Sequence, residues 1–109
     1  MDLLEKLNWR YATKRMTGPK LSREKLERIL ESLRLTPSSF GLQPYKILVI
    51  EDEDLKSRIL PIAFNQPQIA ESSHILVFTA WDKVTEDNIR EHIQLSEKVK
   101  LNSMYYVFF

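Results

Sequence analysis

The sequence predicts a small domain that mixes helices and strands, of either the α/β or the α+β class. Two short apolar segments, residues 45–50 and 74–80, have the continuous pattern of buried strands. An amphipathic stripe that includes Leu26 and Leu30 predicts a helix over residues 23–35. Along the chain the elements follow the order helix, helix, strand, helix, strand, helix.

The remaining elements rest on shorter signals. Residues 2–9 are predicted to form a helix whose leucines share one face, and residues 52–64 a helix that Pro61 bends or breaks. A short helical turn is expected after the polar segment at residues 65–68. The last helix begins after Thr85, which is a good cap. Its apolar residues expected to face inward are Ile89, Ile93 and Val99.

Composition limits the classes of function. The chain has 109 residues, enough for one domain with a modest core. Its 16 Lys and Arg and 15 Asp and Glu give a net charge of +1, which signals no basic face for nucleic acid. Cysteine is absent, and no apolar run is long enough to span a bilayer. We therefore expect a cytoplasmic protein with no metal site that binds neither nucleic acid nor membrane.

The last nine residues differ in composition from the rest of the chain, because they contain four aromatic residues and a valine. Two interpretations stay open. The segment is either a strand that pairs with another part of the protein, or a sequence foreign to the fold. We accordingly divide the chain into residues 1–100, the folded portion, and residues 101–109, an atypical aromatic tail.

The first candidate site is a loop that carries three cations, Arg10, Lys14 and Arg15. A guanidinium can bind phosphate oxygens bidentately and an ammonium acts as a point charge, so the loop suits a phosphate monoester. The simpler interpretation is a solvated basic turn. Since Gly18 and Gly41 are the only two glycines, a glycine-rich phosphate loop is excluded.

The second candidate site is the segment between the predicted helix 23–35 and the first strand. Pro37 ends the helix, because the residue before a proline avoids the α region. Ser38 and Ser39 are expected to leave hydroxyls and backbone N–H groups unpaired at the tip, and Gly41 allows the backbone to approach a flat ligand. The simpler interpretation is an ordinary connector between a helix and a strand.

Together these motifs resemble the N-terminal half of an FMN-dependent NAD(P)H nitroreductase. The sequence reads Arg-Tyr-Ala-Thr-Lys at residues 10–14 and Pro-Ser-Ser-Phe-Gly-Leu-Gln-Pro at residues 37–44. Asn-Gln-Pro-Gln follows at residues 65–68, and Ala-Glu-Ser-Ser-His at residues 70–74 precedes the second strand. The resemblance implies an α+β, nitroreductase-like fold with helices packed on a small mixed β-sheet, incomplete relative to the family. Residues 1–100 would then be the N-terminal portion of such a domain.

The resemblance also implies which residues bind FMN. Arg10 would bind the phosphate, with Tyr11 and Ala12 along the phosphate and the ribityl chain. Lys14 would approach the pyrimidine edge of the flavin, where a cation stabilises the negative charge that reduction adds. No side chain is expected to act as a catalytic nucleophile, because the flavin performs the redox chemistry.

Two further groups of residues are implied to contact the flavin. Asn65 would pair with the edge of the ring through its amide, and Gln68 lies where some relatives carry a lysine. The other group would reach the flavin of the second subunit in a homodimer. Its members are Pro37, Ser38, Ser39 and Gly41.

The implied activity is a ping-pong transfer of electrons from NAD(P)H through FMN to a small-molecule acceptor, such as a nitroaromatic or a quinone. The alternative is a truncated, non-catalytic remnant that acts as a small folded or self-associating domain. Family members of roughly twice this length motivate that alternative. A third interpretation, an unrelated binding domain with chance motif matches, stays the remotest.

Overall fold

The computed structural model describes residues 2–98 and 106–108 of the chain. Within them, α-helices and a three-stranded mixed sheet form one α+β arrangement, which confirms the predicted class. None of these helices combines the length and the apolar character that crossing a membrane requires. The elements are α1 (Leu3–Trp9), α2 (Arg23–Arg34), a 3₁₀ turn (Ser39–Gly41), β1 (Tyr45–Ile50), α3 (Glu53–Ile59), α4 (Pro67–Glu71), β2 (Ile75–Ala80), α5 (Glu86–Lys98) and β3 (Tyr106–Phe108).

β1 is the central strand of the sheet, whose order is β2-β1-β3. β2 runs antiparallel to it, with Tyr45 opposite Ala80 and Ile50 opposite Ile75. The start of β1 therefore lies beside the end of β2, and the end of β1 beside the start of β2. This register fixes which loops meet at each end of the sheet.

β3 pairs with the other edge of β1 and runs parallel to it, with Ile47 opposite Tyr106. Residues 106–108 therefore form a strand that pairs with another part of the protein, which is the first of the two interpretations given for the tail. The division of the chain at residue 100 stays a prediction.

The core lies between α2 and the sheet. Leu26, Leu30 and Val49 are buried together, and Leu33 and Leu76 pack against them half-buried. The amphipathic stripe of α2 thus faces the central strand, as the helical spacing predicts. α2 begins directly after Ser22, whose hydroxyl caps the helix by accepting a hydrogen bond from the Lys25 amide at 3.3 Å.

One prediction about helices is confirmed and another is wrong. α3 ends at Ile59 and is followed by turns, so the segment is broken near Pro61 as predicted, because a proline has no amide hydrogen with which to continue the helical ladder. On α5, Ile89 and Ile93 are 46% and 51% exposed, since nothing in the described part of the chain covers that face. Val99, the third residue expected to face inward there, lies outside the described residues.

Candidate functional site

The first candidate loop leaves α1 at Arg10, whose amide donates to the Lys6 carbonyl at 3.1 Å. Every side chain from Arg10 to Lys20 is exposed, including those of Tyr11 and Ala12. Neither Arg10 nor Lys14 forms an ion pair with any described residue. Both cations are therefore available to a ligand.

One carboxylate fastens this loop to α4. Arg15 Nε donates to Glu71 Oε2 at 3.1 Å, and Arg15 Nη2 donates to the other oxygen. The Met16 amide also donates to Glu71 Oε2, at 2.9 Å. These hydrogen bonds, that from Arg15 first, lower the pKa of the Glu71 carboxyl, because they favour its charged form. Glu71 is therefore ionised at neutral pH and holds Arg15 and Met16 beside α4.

The loop has two further anchors near its end. The Lys20 ammonium lies 2.8 Å from Glu53 Oε1, and the Leu21 amide donates to the Ser73 hydroxyl at 2.9 Å. The hydrogen bond from Lys20, and after it that from Lys56, lowers the pKa of Glu53. The loop consequently lies along the connection from α4 to β2.

The segment with Asn65 and Gln68 lies in the same region. Asn65 has a left-handed φ of 53°, and its amide donates to the Leu60 carbonyl at 2.9 Å. Its exposed side chain makes no hydrogen bond to a described residue. Gln68 is half-buried in α4, three residues before Glu71, so the two side chains are neighbours on one face, about 5–6 Å apart at Cβ. Lys14 directly precedes Arg15, which is bound to Glu71 of α4. The first loop therefore lies beside α4, the helix that also carries Gln68.

The second candidate segment is a tight turn with its own hydrogen bonds. The Ser38 hydroxyl accepts from the Gln43 amide at 2.9 Å, and the Ser38 carbonyl accepts from the Gly41 amide at 2.9 Å. The expectation of an unpaired hydroxyl at Ser38 is therefore wrong, because the turn uses it as an acceptor. Pro37 and Ser39 are exposed, and Gly41 has a φ of 66° that suits glycine.

The two candidate regions lie at opposite ends of the sheet. The second segment leads into the start of β1, where the Pro44 carbonyl accepts from the Trp81 amide at 3.0 Å, just after β2 ends. The first loop contacts Ser73, just before β2 begins. Six residues of β1 separate these ends by about 17 Å at the usual rise per residue. The anchor of the first loop at Ser73 and the second segment therefore lie at opposite ends of β1.

Backbone strain marks the second segment and the segment around Asn65. Four non-glycine residues of the described chain have a left-handed φ, and all four lie in or beside the predicted motifs. Such conformations cost about 1–2 kcal/mol each and concentrate at functional sites. The sequence does not reveal them, because bulky side chains rarely adopt them. They are Phe40, Gln43, Phe64 and Asn65.

Sequence reasoning also missed a buried lysine. Lys56 on α3 is 1% exposed, and its ammonium lies 2.7 Å from the Ser72 carbonyl and 3.0 Å from Glu53 Oε2. A lysine in a charged, amphipathic segment is typical of a solvated helix face, so no sequence signal singled it out. It fixes α3 against the end of α4, next to Glu71.

A cleft of about 520 Å³ lies outside the predicted site, between residues 20–21, 51–53 and 73–74. His74 is one of its lining residues, with Nδ1 2.8 Å from the Ser73 hydroxyl and Nε2 3.1 Å from Glu51 Oε2. None of the ten residues predicted to bind the flavin lines it. No group of acidic and histidine side chains in residues 2–98 is arranged to hold a metal ion.

Known proteins match this chain over most of its length. The model of the Nitroreductase family matches residues 7–106. An NAD(P)H nitroreductase of Staphylococcus haemolyticus is 37% identical over 94 residues, which are 84% of this chain and 42% of that protein. The chain thus spans less than half the length of this curated relative.

Solved structures agree with the fold. A nitroreductase in complex with FMN from Exiguobacterium sibiricum has a TM-score of 0.70 and 31% identity, over 90% of this chain and 48% of that one. The nitroreductase ydfN of Bacillus subtilis has a TM-score of 0.73 over 89% of this chain and 45% of that one; at 23% identity it shows the fold alone. The names of these three proteins carry the qualifier "putative". The prediction of a nitroreductase-like fold of which this sequence covers a part is confirmed. The chain, matched by the family model over residues 7–106, belongs to the Nitroreductase family of oxidoreductases.

Proposed function

We propose that this chain supplies part of an FMN-dependent oxidoreductase that takes electrons from NAD(P)H and delivers them to a nitroaromatic, quinone or similar small acceptor. Family membership supports the reaction class, and the names of the relatives support NAD(P)H and FMN. One observation carries the proposal. Arg10 and Lys14 are exposed, have no ion-pair partner among the described residues, and belong to a loop that Glu71 holds against α4.

The donor set fits FMN. Arg10 can bind the phosphate bidentately, and the exposed Tyr11 and Ala12 leave the neighbouring backbone open to the ribityl chain. The amide of Asn65 offers both a donor and an acceptor to a ring edge that presents N–H and carbonyl groups. Gln68 on the adjacent helix presents the same two kinds of group. These residue types match a ligand with one anionic end and one flat polar edge.

FMN supplies the electron-transfer chemistry when it is bound. The chain's own residues would bind and tune it. Arg10 would neutralise the phosphate, and the fixed ammonium of Lys14 would stabilise negative charge at the pyrimidine edge. No described residue needs to act as a nucleophile in this scheme.

We further propose that two copies of the chain form each site. The first loop is anchored at Ser73 beside the end of β1, and the second segment leads into the start of β1, a strand about 17 Å long, so each region would hold a different part of a flavin. A homodimer in which the second segment reaches the partner's flavin would use both regions. In that assembly the residues that serve the partner are Pro37, Ser38, Ser39 and Gly41.

A second candidate function is a non-catalytic, self-associating domain. Exposed apolar side chains on α1 and α5 favour it, because apolar patches on a surface commonly mark interfaces. None of the residues of α1 is buried, although Leu3, Leu4 and Leu7 lie on it, and Ile89 and Ile93 of α5 are also exposed.

A cytoplasmic location is part of the leading proposal, because the enzyme would draw its NAD(P)H from the cytoplasm.

Titration of the purified protein with FMN, followed by flavin fluorescence, tests the proposal. Arg10→Gln and Lys14→Gln should each weaken binding by about tenfold or more, the usual consequence of losing a charged hydrogen bond. Lys25→Gln on α2 is the matched control and should bind as the unaltered chain does. Unchanged binding in both loop variants would refute the assigned roles. A colourless protein that does not take up FMN would favour the non-catalytic domain.

A further inference from the structure

We infer that Glu71 is a positioning residue that holds the cationic loop, residues 10–16, in the conformation that binds the flavin phosphate. The inference deepens the proposed function and rests on it. Glu71 itself would touch no cofactor. It would act through Arg15 and Met16, and so through the placement of Arg10 and Lys14.

The hydrogen bonds of this carboxylate are concentrated on the loop. Both of its oxygens accept from the Arg15 guanidinium, and one of them also accepts from the Met16 amide at 2.9 Å. A bidentate pair fixes the orientation of the two planar groups as well as their distance. The backbone bond at Met16 adds a constraint on the chain itself, so the loop is held at two consecutive residues.

The anchor stands on a rigid base. Lys56 Nζ donates to the carbonyl of Ser72 at 2.7 Å and to that of Ala70 at 3.4 Å, the two residues that flank Glu71. Lys56 is buried, and its other partner is Glu53. The backbone on either side of Glu71 is thereby fastened to α3, and the Glu71 side chain is only 25% exposed.

The loop depends on such anchors because it lacks other support. From residue 10 to residue 20 it forms no helix or strand, and all of its side chains are exposed. Its next attachments are Lys20 to Glu53 and the Leu21 amide to Ser73. Loss of the Glu71 carboxylate would therefore release residues 10–16 and leave the end of the loop in place.

The charge arrangement explains why an acidic residue belongs there. Arg10, Lys14 and Arg15 are close in sequence and repel one another, which would spread the loop in solution. Glu71 neutralises Arg15, the one cation to which the proposal assigns no flavin contact. The remaining two cations are left to face the ligand.

Three variants test the inference. Glu71→Gln removes the charge and keeps the size, and Arg15→Gln removes the other partner. Glu27→Gln is the matched control, because Glu27 also pairs with an arginine, Arg23 at 2.9 Å, on the exposed face of α2. Trypsin cleavage of the native protein after Lys14, without any ligand, measures how firmly the loop is held. Affinities for FMN and for riboflavin, which lacks the phosphate, measure how much the loop contributes to binding the phosphate.

The expected results are specific to the loop. Cleavage after Lys14 should be about fivefold faster or more in Glu71→Gln and Arg15→Gln, and unchanged in Glu27→Gln. Affinity for FMN should fall by about tenfold in the same two variants, and affinity for riboflavin should fall less. A general loss of structure would weaken both ligands equally, so the ratio of the two affinities separates positioning from stability.

Three outcomes would overturn the inference. Cleavage of Glu71→Gln at the rate of Glu27→Gln would show that Glu71 does not hold the loop. Faster cleavage with unchanged FMN affinity would show that the held conformation has no part in binding, and equal losses for FMN and riboflavin would exclude a role at the phosphate. If the unaltered chain binds no FMN, the proposed function fails and the flavin role of Glu71 fails with it, while the cleavage result still decides whether Glu71 holds the loop.

Discussion

The Lys56 ammonium lies 2.7 Å from the carbonyl oxygen of Ser72 and joins α3 to the turn that leads from α4 into β2. It is the buried charged side chain of the described chain, and Glu53 Oε2 at 3.0 Å balances its charge. The same Glu53 carboxylate also pairs with Lys20 of the candidate loop. One lysine therefore connects the interior of the domain to the loop that carries the predicted phosphate ligands.

Replacement of Lys56 should destabilise the fold. Lys56→Met fills a similar volume, but it leaves the part-buried carbonyl of Ser72 without its donor, which costs about 1–3 kcal/mol in the free energy of unfolding. Urea denaturation followed by circular dichroism measures the change. Lys25→Met, on the exposed face of α2, is the control and should change stability little. A Lys56→Met variant as stable as the control would mean that the buried hydrogen bonds contribute nothing.

The two glycines should respond differently to alanine. Gly41 has a φ of 66°, so Gly41→Ala forces an L-residue into the left-handed region at a cost of about 1–2 kcal/mol. The added β-carbon itself would meet only His92 Cε1, at 3.9 Å, which is ordinary contact. Gly18→Ala is the control, because nothing lies within 4 Å of its added carbon. Thermal unfolding should show a loss for Gly41→Ala alone, and equal melting temperatures would contradict the strained turn.

The anchor at Glu71 should depend on pH in one direction. Its pKa is lowered from the usual 4.5 in the folded chain, so its ionised form stabilises the fold above that value. This contribution is lost as the pH falls through the lowered pKa. The difference in free energy of unfolding between the unaltered chain and Glu71→Gln should therefore be constant from pH 7 to about pH 5 and shrink below pH 4.5. A difference that grows on acidification would contradict this assignment.

Much of the fold follows from local patterns in the sequence. The spacing of Leu26 and Leu30 predicts the buried face of α2, and the continuous apolar run from Ile47 to Ile50 predicts a covered strand. These signals work because burial and helical or extended periodicity are decided within a few residues. The four segments that carry the family resemblance are also local, which is why the resemblance is visible without any structure.

What the sequence did not predict depends on distant partners. Arg15 and Glu71 are 56 residues apart, and neither carries a signal that names the other. Lys56 is buried only because the carbonyl of Ser72 is presented to it by the turn after α4. Ile93 is exposed for the opposite reason, because it has no distant partner within residues 2–98 and 106–108 that covers it. An apolar residue at helical spacing is buried only where another element packs against it. The roles of the ten residues assigned to FMN stay predictions.

Mixing two defective variants tests the central claim, a flavin site shared between two copies of the chain. One variant carries Arg10→Gln with Lys14→Gln, and the other carries Ser39→Trp, which blocks the second segment without disturbing a buried residue. In a twofold dimer, each mixed pair contains one site with both intact regions, so equal mixing should restore about a quarter of the FMN capacity. Each variant alone should bind poorly, and the recovered sites should have the affinity of the unaltered protein. If mixing recovers no binding although the unaltered chain binds FMN, the site does not combine these two regions across a dimer, and the account is wrong.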